Sequence, residues 1–208
     1  MHDERTIVMN EHGCYFLILE TTDAVDIFVR PVYKQIIVHS LNHFIDNRGF
    51  IVYGWCLMTN RLYLICQAQK NMLLGDIRKG FKQFTTEKII EAVDAEPEDR
   101  KSWLLERFAK FSGLFGANMT VQCWKKIKAP VPVDIKRPEE MAEQLDIIHS
   151  IPIKERFVQY PSDFLYSSAR DYEGLPGLVK ITKLSPVEQA FTELQNRKSS
   201  FKARSYGK

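Results

Sequence analysis

The sequence lacks long hydrophobic runs and the cysteine spacing of a metal site. None of its apolar stretches approaches the roughly 18 residues that a membrane-spanning helix needs, and its polar start, MHDER, does not resemble a signal peptide. The four cysteines are scattered and mostly lie within apolar stretches, which is typical of reduced, partly buried thiols. We therefore expect a cytoplasmic protein with no membrane partner.

The chain also carries little net charge. Its 208 residues include 29 lysines and arginines against 26 aspartates and glutamates, a formal net charge of +3. This balance permits nucleic-acid binding but falls short of a strongly basic composition. The apolar fraction of 45% is enough to fill a core. We expect one domain over residues 1–180, followed by a basic C-terminal helix or tail over residues 181–208.

Hydrophobic spacing predicts elements in the order strand, helix, strand, strand, helix. The predicted strands cover residues 15–20, 51–57 and 61–67, and the predicted helices cover residues 31–47, 72–93, 99–113 and 138–149. Residues 113–119 are predicted to form a loop, and three prolines exclude a long regular helix over 129–138. This order favours an α+β sandwich with a largely antiparallel sheet and helices on one face.

The segment Met58–Ile65 (MTNRLYLI) is the most informative stretch of the chain. Strand alternation places Arg61 and Tyr63 on one face of the sheet and the intervening leucines on the other. The segment resembles the Met-Pro-Asn-His-apolar-His-Leu strand of single-tyrosine (HUH) transposases, specifically the REP-associated group. In that family the two histidines hold a divalent metal, Mg²⁺ or Mn²⁺. Here Arg61 and Tyr63 stand in their places.

The resemblance extends over most of the chain, from Tyr15 to Lys180. The segments that carry it, in the family's order and spacing, are Tyr15–Leu17, Asp26–Arg30, Asp76–Thr85, Leu145–Lys154, Tyr160–Pro161 and Phe164–Tyr172. The chain is identified on these segments as a degenerate member of the REP-associated, insertion-sequence-type transposases. The resemblance implies a ferredoxin-like α+β sandwich, a homodimer, and a DNA partner that is single-stranded or folded into a hairpin.

The metal chemistry of the family does not suit the residues found here. The family cleaves single-stranded DNA by attack of a tyrosine hydroxyl on a phosphate, which a bound metal polarises. Arg61 cannot ligate a metal, because it is permanently cationic and has no acceptor atom. Tyr63 offers only a protonated phenol. We therefore expect no metal and no cofactor at these positions.

The attacking tyrosine of the family is replaced as well. The family usually carries it a few residues after a tryptophan, and Lys128 occupies that place after Trp124. No tyrosine occurs between Tyr63 and Tyr160, and the third metal ligand falls near Pro132, which has no ligating atom. Since ligands and nucleophile are lost together, we expect no catalytic residue and no strand cleavage.

Arg61, Tyr63 and Lys128 are thus interpreted as vestigial positions that can still contact DNA. An arginine and a tyrosine can bind a phosphate and stack a base, or they can fill the old pocket and pair with nearby carboxylates. The candidate DNA-binding residues are Arg61, Tyr63, Lys79, Lys82, Lys125, Lys126, Lys128 and Arg170. A solvated surface is the ordinary alternative for each lysine, and internal pairing is the alternative for Arg170.

Three functions remain open from the sequence. The leading hypothesis is a DNA-binding protein of transposase descent that lacks cleavage activity. An active transposase with non-standard residues is the second, with Tyr63 attacking phosphate beside Arg61. A protein-interaction module is the third. Among other candidates, His39 and His43 are interpreted as a surface pair, and His149 as structural.

Overall fold

The computed structural model describes residues 10, 12–95, 97, 99–112, 118–125 and 129–205. The strands are β1 (Cys14–Glu20), β2 (Phe50–Leu57), β3 (Arg61–Ala68), β4 (Ala109–Ser112), β5 (Asn118–Val121) and β6 (Val131–Val133). The helices are α1 (Pro31–Asn47), α2 (Leu74–Ala95), α3 (Lys101–Phe108), α4 (Pro138–Lys154), α5 (Ala169–Tyr172) and α6 (Ser185–Ser205).

Four of the strands form one antiparallel sheet in the order β2-β3-β1-β6. The β2–β3 hairpin was predicted from the two neighbouring apolar runs. Within the sheet, Arg61 lies opposite Glu20 and Tyr63 lies opposite Ile18. The predicted α+β class with an antiparallel sheet is confirmed.

Helices cover both faces of this sheet. As predicted, α1 and α2 share one face, where they pack on the side of β3 that carries Leu62 and Leu64. The opposite face, with Tyr63 and Ile65, is covered by α4 and α6. The expectation of helices on one face is therefore incomplete. The physical reason lies in β2, which carries apolar residues on both of its faces. Both faces therefore need a covering layer, and almost all residues of β2 are buried.

Close packing of α4 on β2 depends on a glycine. The β2–β3 register shifts between Val52 and Gly54, so the strand is bulged there. A Cβ atom on Gly54 would lie 2.5 Å from Leu145 Cδ2 on α4. A side chain at position 54 would therefore require the Leu145 side chain to shift.

Two regions differ from the sequence predictions. The predicted helix over 99–113 ends at Phe108, and β4 and β5 follow it as an antiparallel pair; residues 113–117 of the predicted loop lie outside the described residues. The proline-rich segment contributes β6, in which Pro132 lies opposite Tyr15. Because β6 lies at the end of the strand order, a residue without an N–H is tolerated there.

The outer edge of β2 is covered by the segment Tyr166–Ser168. The Leu57 N–H donates to the Tyr166 carbonyl at 2.9 Å, and the Ser168 N–H donates to the Trp55 carbonyl at 2.9 Å. Ser168 Oγ also accepts a hydrogen bond from the Trp55 N–H at 2.9 Å. The backbone groups of an otherwise open sheet edge are thus paired.

The C-terminal residues 185–205 form α6, which packs on α4. Val187 and Phe191 are buried in the same cluster as Leu145, and Lys198 forms an ion pair with Asp146. All four cysteines are buried and free, as expected for reduced thiols. None of the helices in the described ranges is both long and apolar enough to cross a membrane.

Candidate nucleic-acid interface

Arg61 is the first residue of β3 and is paired with a carboxylate on the neighbouring strand. Its Nη2 lies 3.3 Å from Glu20 Oε1, with 43% of the Arg61 side chain and 23% of the Glu20 side chain exposed. A hydrogen bond to Tyr63 and the Glu20 carboxylate raise the pKa of the guanidinium. Arg61 therefore presents a permanent, partly exposed positive charge at this end of the sheet.

Tyr63 is half-buried next to Arg61. Burial raises the pKa of its phenol, and the hydrogen bond from Arg61 opposes that rise without cancelling it. The Glu155 carboxylate, just beyond α4, raises the pKa of Tyr63 as well. The phenol is therefore protonated at neutral pH, which makes it a poor metal ligand and a weak nucleophile. The guanidinium and the phenol together do not fit a divalent cation.

Two of the predicted lysines lie close to this pair. The Lys125 N–H donates to the Glu20 carbonyl at 2.8 Å, and Lys82 Nζ donates to the Lys125 carbonyl at 2.9 Å. The backbone of Lys125 thus lies at the end of β1, opposite Arg61 through Glu20, and the Lys82 ammonium reaches the Lys125 carbonyl. Lys79 lies one turn before Lys82 on α2 and is exposed. Four of the predicted residues therefore lie at the end of β1 or on the adjoining stretch of α2.

A buried tryptophan fixes the backbone of Lys125. Trp124 forms a bridge with Thr21, directly after β1. Its Nε1 donates to Thr85 Oγ1 at 2.7 Å, and its ring lies 5.6 Å from the ring of Phe28. Trp124 therefore joins β1, α2 and the turn before α1, and it fixes the position of the adjoining Lys125 backbone.

Arg170 lies elsewhere and its guanidinium has internal partners. Its Nε donates to the Pro176 carbonyl and its Nη1 to the Ser162 carbonyl, both at 3.0 Å. Internal pairing, the alternative stated for Arg170, is what the structure describes. Lys126 and Lys128 lie outside the described residues.

The two histidines of α1, interpreted from the sequence as a surface pair, differ in their surroundings. His43 stacks on Phe84 with ring centroids 5.2 Å apart and has Asn47 Nδ2 at 3.2 Å from its Nδ1, while His39 is exposed. Within the described ranges, no three histidine, cysteine, aspartate or glutamate side chains are grouped to hold a metal ion.

His149 is buried and joins α4 to the covered edge of β2. Its Nε2 lies 2.9 Å from Ser168 Oγ, and its ring packs against Tyr172 and Phe191. Burial lowers the pKa of His149 to about 3, against a smaller opposing effect of Asp146. The imidazole is therefore neutral and structural, as interpreted from the sequence.

The segment that follows α4 was not singled out as a candidate site from the sequence. Phe157 and Tyr160 are exposed there, and Phe157 lies 6.0 Å from Phe164 between ring centroids. The segment adjoins the Arg61 end of the sheet, because Glu155 acts on Tyr63 and Phe164 packs into the same cluster as Tyr63. The signal available in the sequence was the pair of aromatic residues three apart directly after a helix.

The fold is similar to that of a solved structure described as a REP-associated tyrosine transposase bound to a REP hairpin. The TM-score is 0.57 at 14% sequence identity, over 89% of this chain and 96% of that chain. No protein-family model matches the chain, and no curated protein sequence matches it. At this identity the likeness shows the fold, so the chain has the α+β fold that the resemblance to HUH transposases predicted.

Proposed function

We propose that this protein is a degenerate REP-associated transposase that binds hairpin or single-stranded DNA without cutting it. The observation that carries the proposal is the ion pair between Arg61 on β3 and Glu20 on β1, because the resemblance aligns Arg61 with a metal-binding histidine of the family. The DNA-bound state of the structural neighbour supports a DNA partner.

Binding of a phosphate at Arg61 is energetically accessible. Partly exposed ion pairs contribute roughly 0–1 kcal/mol, so a DNA phosphate can compete with Glu20 for the guanidinium. An arginine binds phosphate oxygens in a bidentate manner, and Lys82 and Lys125 add charge beside it. A DNA backbone lying across the end of β1 would therefore meet three cations.

The absence of cleavage follows from the same residues. Attack by a tyrosine needs a metal or an equivalent cation on the phosphate and a phenol that can lose its proton. Arg61 supplies a cation, but burial keeps the proton on Tyr63. This balance argues against Tyr63 as a replacement nucleophile and in favour of a binding protein.

A mobility-shift titration tests the DNA-binding part. A single-stranded oligonucleotide that folds into a hairpin should bind at low salt, and the affinity should fall as salt rises because phosphate contacts release counterions. A hairpin that is not bound even at low salt would remove the proposal and leave the protein-interaction module as the better hypothesis.

A denaturing gel tests the absence of cleavage. We expect no covalent protein–DNA adduct after incubation with hairpin DNA and Mn²⁺. A phosphotyrosyl adduct would establish the alternative, an active transposase.

The proposed homodimer is tested by light scattering, where a mass near 48 kDa, about twice the 24.2 kDa chain, is expected.

A further inference from the structure

The solvent-facing side of α3 carries an exposed tryptophan with an arginine beside its ring. Trp103 is 40% exposed, and the guanidinium carbon of Arg107 lies 5.7 Å from the Trp103 ring centroid. Leu104 and Phe108 on the opposite side of α3 are fully buried and hold the helix on the protein. Trp103 is therefore presented to solvent by a fixed helix, and tryptophan and arginine are the residues that contribute most to protein–protein interfaces.

A second exposed apolar residue lies near the start of α3. Arg100, which precedes the helix, forms an ion pair with Asp26 at 3.0 Å. Val29 follows Asp26 by three residues, its N–H donates to the Asp26 carbonyl at 3.3 Å, and it is 51% exposed. Val29 thus extends the apolar surface that begins at Trp103.

The two flanks of Trp103 on α3 carry opposite charges. Residues three before and four after a helical residue lie on one flank, so Arg100 and Arg107 share a flank, while Glu106 lies on the other. Glu106 is exposed and forms no ion pair with any residue in the described ranges. Arg107 has a distant partner, Asp23 at 3.7 Å, and both side chains are at least half exposed.

The local charge argues against DNA as the ligand of this face. The charged residues on α3, directly before it or paired with its residues in the structure comprise three cations and five carboxylates, a net charge of −2. These are Arg100, Lys101 and Arg107 with Asp23, Asp26, Asp94, Asp99 and Glu106. A polyanion is repelled by such a surface, so a protein partner fits it better.

The face is complementary to itself. If the α3 helices of two copies lie side by side and parallel about a two-fold axis, Trp103 meets its own counterpart and the basic flank of each helix meets the acidic flank of the other. Arg107 then lies beside Glu106 of the partner subunit, and the same pair forms again across the axis. An antiparallel arrangement would bring flanks of like charge together. Charge therefore favours a second copy in the parallel arrangement.

The intramolecular partner of Arg107 does not prevent this pairing. Ion pairs between exposed side chains contribute little to stability, so the guanidinium can turn from Asp23 towards a carboxylate of a second copy. Because α3 has eight residues, the contact is smaller than a standard interface of roughly 1,600 Å². We therefore expect a reversible dimer that dissociates on dilution.

We propose that the Trp103 face of α3 is the surface through which two copies of this chain associate, with their α3 helices parallel. The inference rests on the proposed function for the homodimer and adds the surface that forms it. The interface adjoins the DNA site, because Ala24, next to Asp23, accepts a hydrogen bond at 3.0 Å from Asn60, the residue before Arg61.

Sedimentation of the full chain over a range of concentrations at low salt tests the aromatic contact. Wild-type protein should show a reversible monomer–dimer equilibrium. Trp103→Ala should weaken dimerisation at least tenfold, as truncation of a central interface tryptophan does. Phe157→Ala is the matched control, because its ring is 53% exposed but lies outside α3, and it should dimerise like wild type.

Charge reversal tests the pairing across the axis. Arg107→Glu and Glu106→Arg should each weaken dimerisation about tenfold, because each brings like charges together in the dimer. An equimolar mixture of these two variants should dimerise like wild type, and so should the double variant. Structural damage within one chain is not repaired by mixing with another chain, so recovery in the mixture identifies an intermolecular pair. Arg137→Glu, on an exposed arginine before α4, is the control for charge.

The outcomes separate this interface from the proposed function. If wild type dimerises and neither Trp103→Ala nor the charge reversals weaken it, the interface is wrong and the homodimer stands. If the mixture of charge variants does not recover, the parallel pairing is wrong. A wild-type protein that is monomeric at every concentration contradicts both the interface and the homodimer, and hairpin binding by that monomer would leave the DNA-binding proposal intact. Loss of hairpin binding in Trp103→Ala with unchanged dimerisation would overturn the interface and assign the face to DNA.

Discussion

The two halves of the segment between α4 and α6 use similar residue types for opposite purposes. In the second half, Ser168 and Tyr172 are hydrogen-bonded to the backbone of β2, through Trp55 and Tyr53. In the first half, Arg156 and Tyr160 are exposed. Side chains whose hydrogen bonds are satisfied internally hold the sheet edge together, whereas those held out to solvent beside Arg61 are available to a ligand.

The same contrast separates two arginines that the sequence grouped together. Arg170 donates to two carbonyls and ties loops to one another. Arg61 has one carboxylate partner and a side chain that is 43% exposed. The difference predicts that substitutions near Ser168 and Arg170 change stability, while substitutions near Arg61 change DNA affinity.

The largest effect is expected for Ser168→Ala. The substitution leaves the buried Trp55 N–H without the Ser168 Oγ acceptor and removes the partner of His149 Nε2. Loss of partners for buried polar groups should lower the free energy of unfolding by about 2–4 kcal/mol, measured by urea denaturation. Ser150→Ala is the control, because its hydroxyl caps an exposed carbonyl. Equal effects of the two substitutions would contradict the role of Ser168 in pairing the edge of β2.

The buried His149 imidazole should make the free energy of unfolding depend on pH. The pKa of His149 is lowered to about 3 from the ordinary value of 6.5, so below pH 6.5 the unfolded chain takes up a proton that the folded chain does not. The part of the free energy of unfolding that depends on the neutral imidazole is fully present above pH 6.5. It falls by about 1.4 kcal/mol for each pH unit as the pH drops towards 3. Urea denaturation between pH 7 and pH 4 should show a shallower slope for His149→Asn. Equal slopes would contradict a neutral buried histidine.

Substitution of Arg170 and of Arg61 tests directly whether the two arginines have different roles. Arg170→Ala should lower the free energy of unfolding by about 1 kcal/mol, because the part-buried Ser162 carbonyl and the exposed Pro176 carbonyl lose a charged donor, with hairpin affinity unchanged. Arg61→Ala should change stability by less than about 1 kcal/mol and weaken hairpin binding about tenfold, equivalent to about 1.4 kcal/mol. Arg137→Ala, an exposed arginine at the other end of α4, is the control for affinity. A loss of affinity in Arg170→Ala that equals that of Arg61→Ala would erase the distinction.

The smallest effect is expected for Glu20→Gln. Removal of the carboxylate frees Arg61 from its partner and removes a negative charge beside an incoming phosphate. Hairpin affinity should therefore rise about two- to threefold, most clearly at low salt where exposed charges are least screened. Weaker binding would mean that Glu20 orients Arg61 rather than competes for it.

Period-2 and helical hydrophobic spacing predicted the main elements well. The strands around Leu17 and Leu64 and the helices from Pro31 and Pro138 lie where the pattern placed them, because burial on one face imposes that spacing. The uninterrupted apolar run of β2 also contained the signal for the second helical layer, since a strand that is apolar on both sides must be covered on both sides.

Other features depended on distant partners that local patterns do not reveal. The predicted helix over 138–149 is too short, since α4 continues to Lys154 with Pro152 inside it. The partners of Arg170 come from loops that only the folded chain brings together. The left-handed arginine at position 156 is a backbone property, and no residue pattern identifies it.

The most direct test of the account is the affinity of hairpin DNA for wild-type protein and for Arg61→Ala, measured side by side at low salt in EDTA. The account predicts that wild-type protein binds without any divalent metal and that the variant binds about tenfold more weakly. Equal affinity of the two proteins, or binding that requires Mn²⁺, would contradict the claim that Arg61 has replaced the metal as the phosphate-binding group.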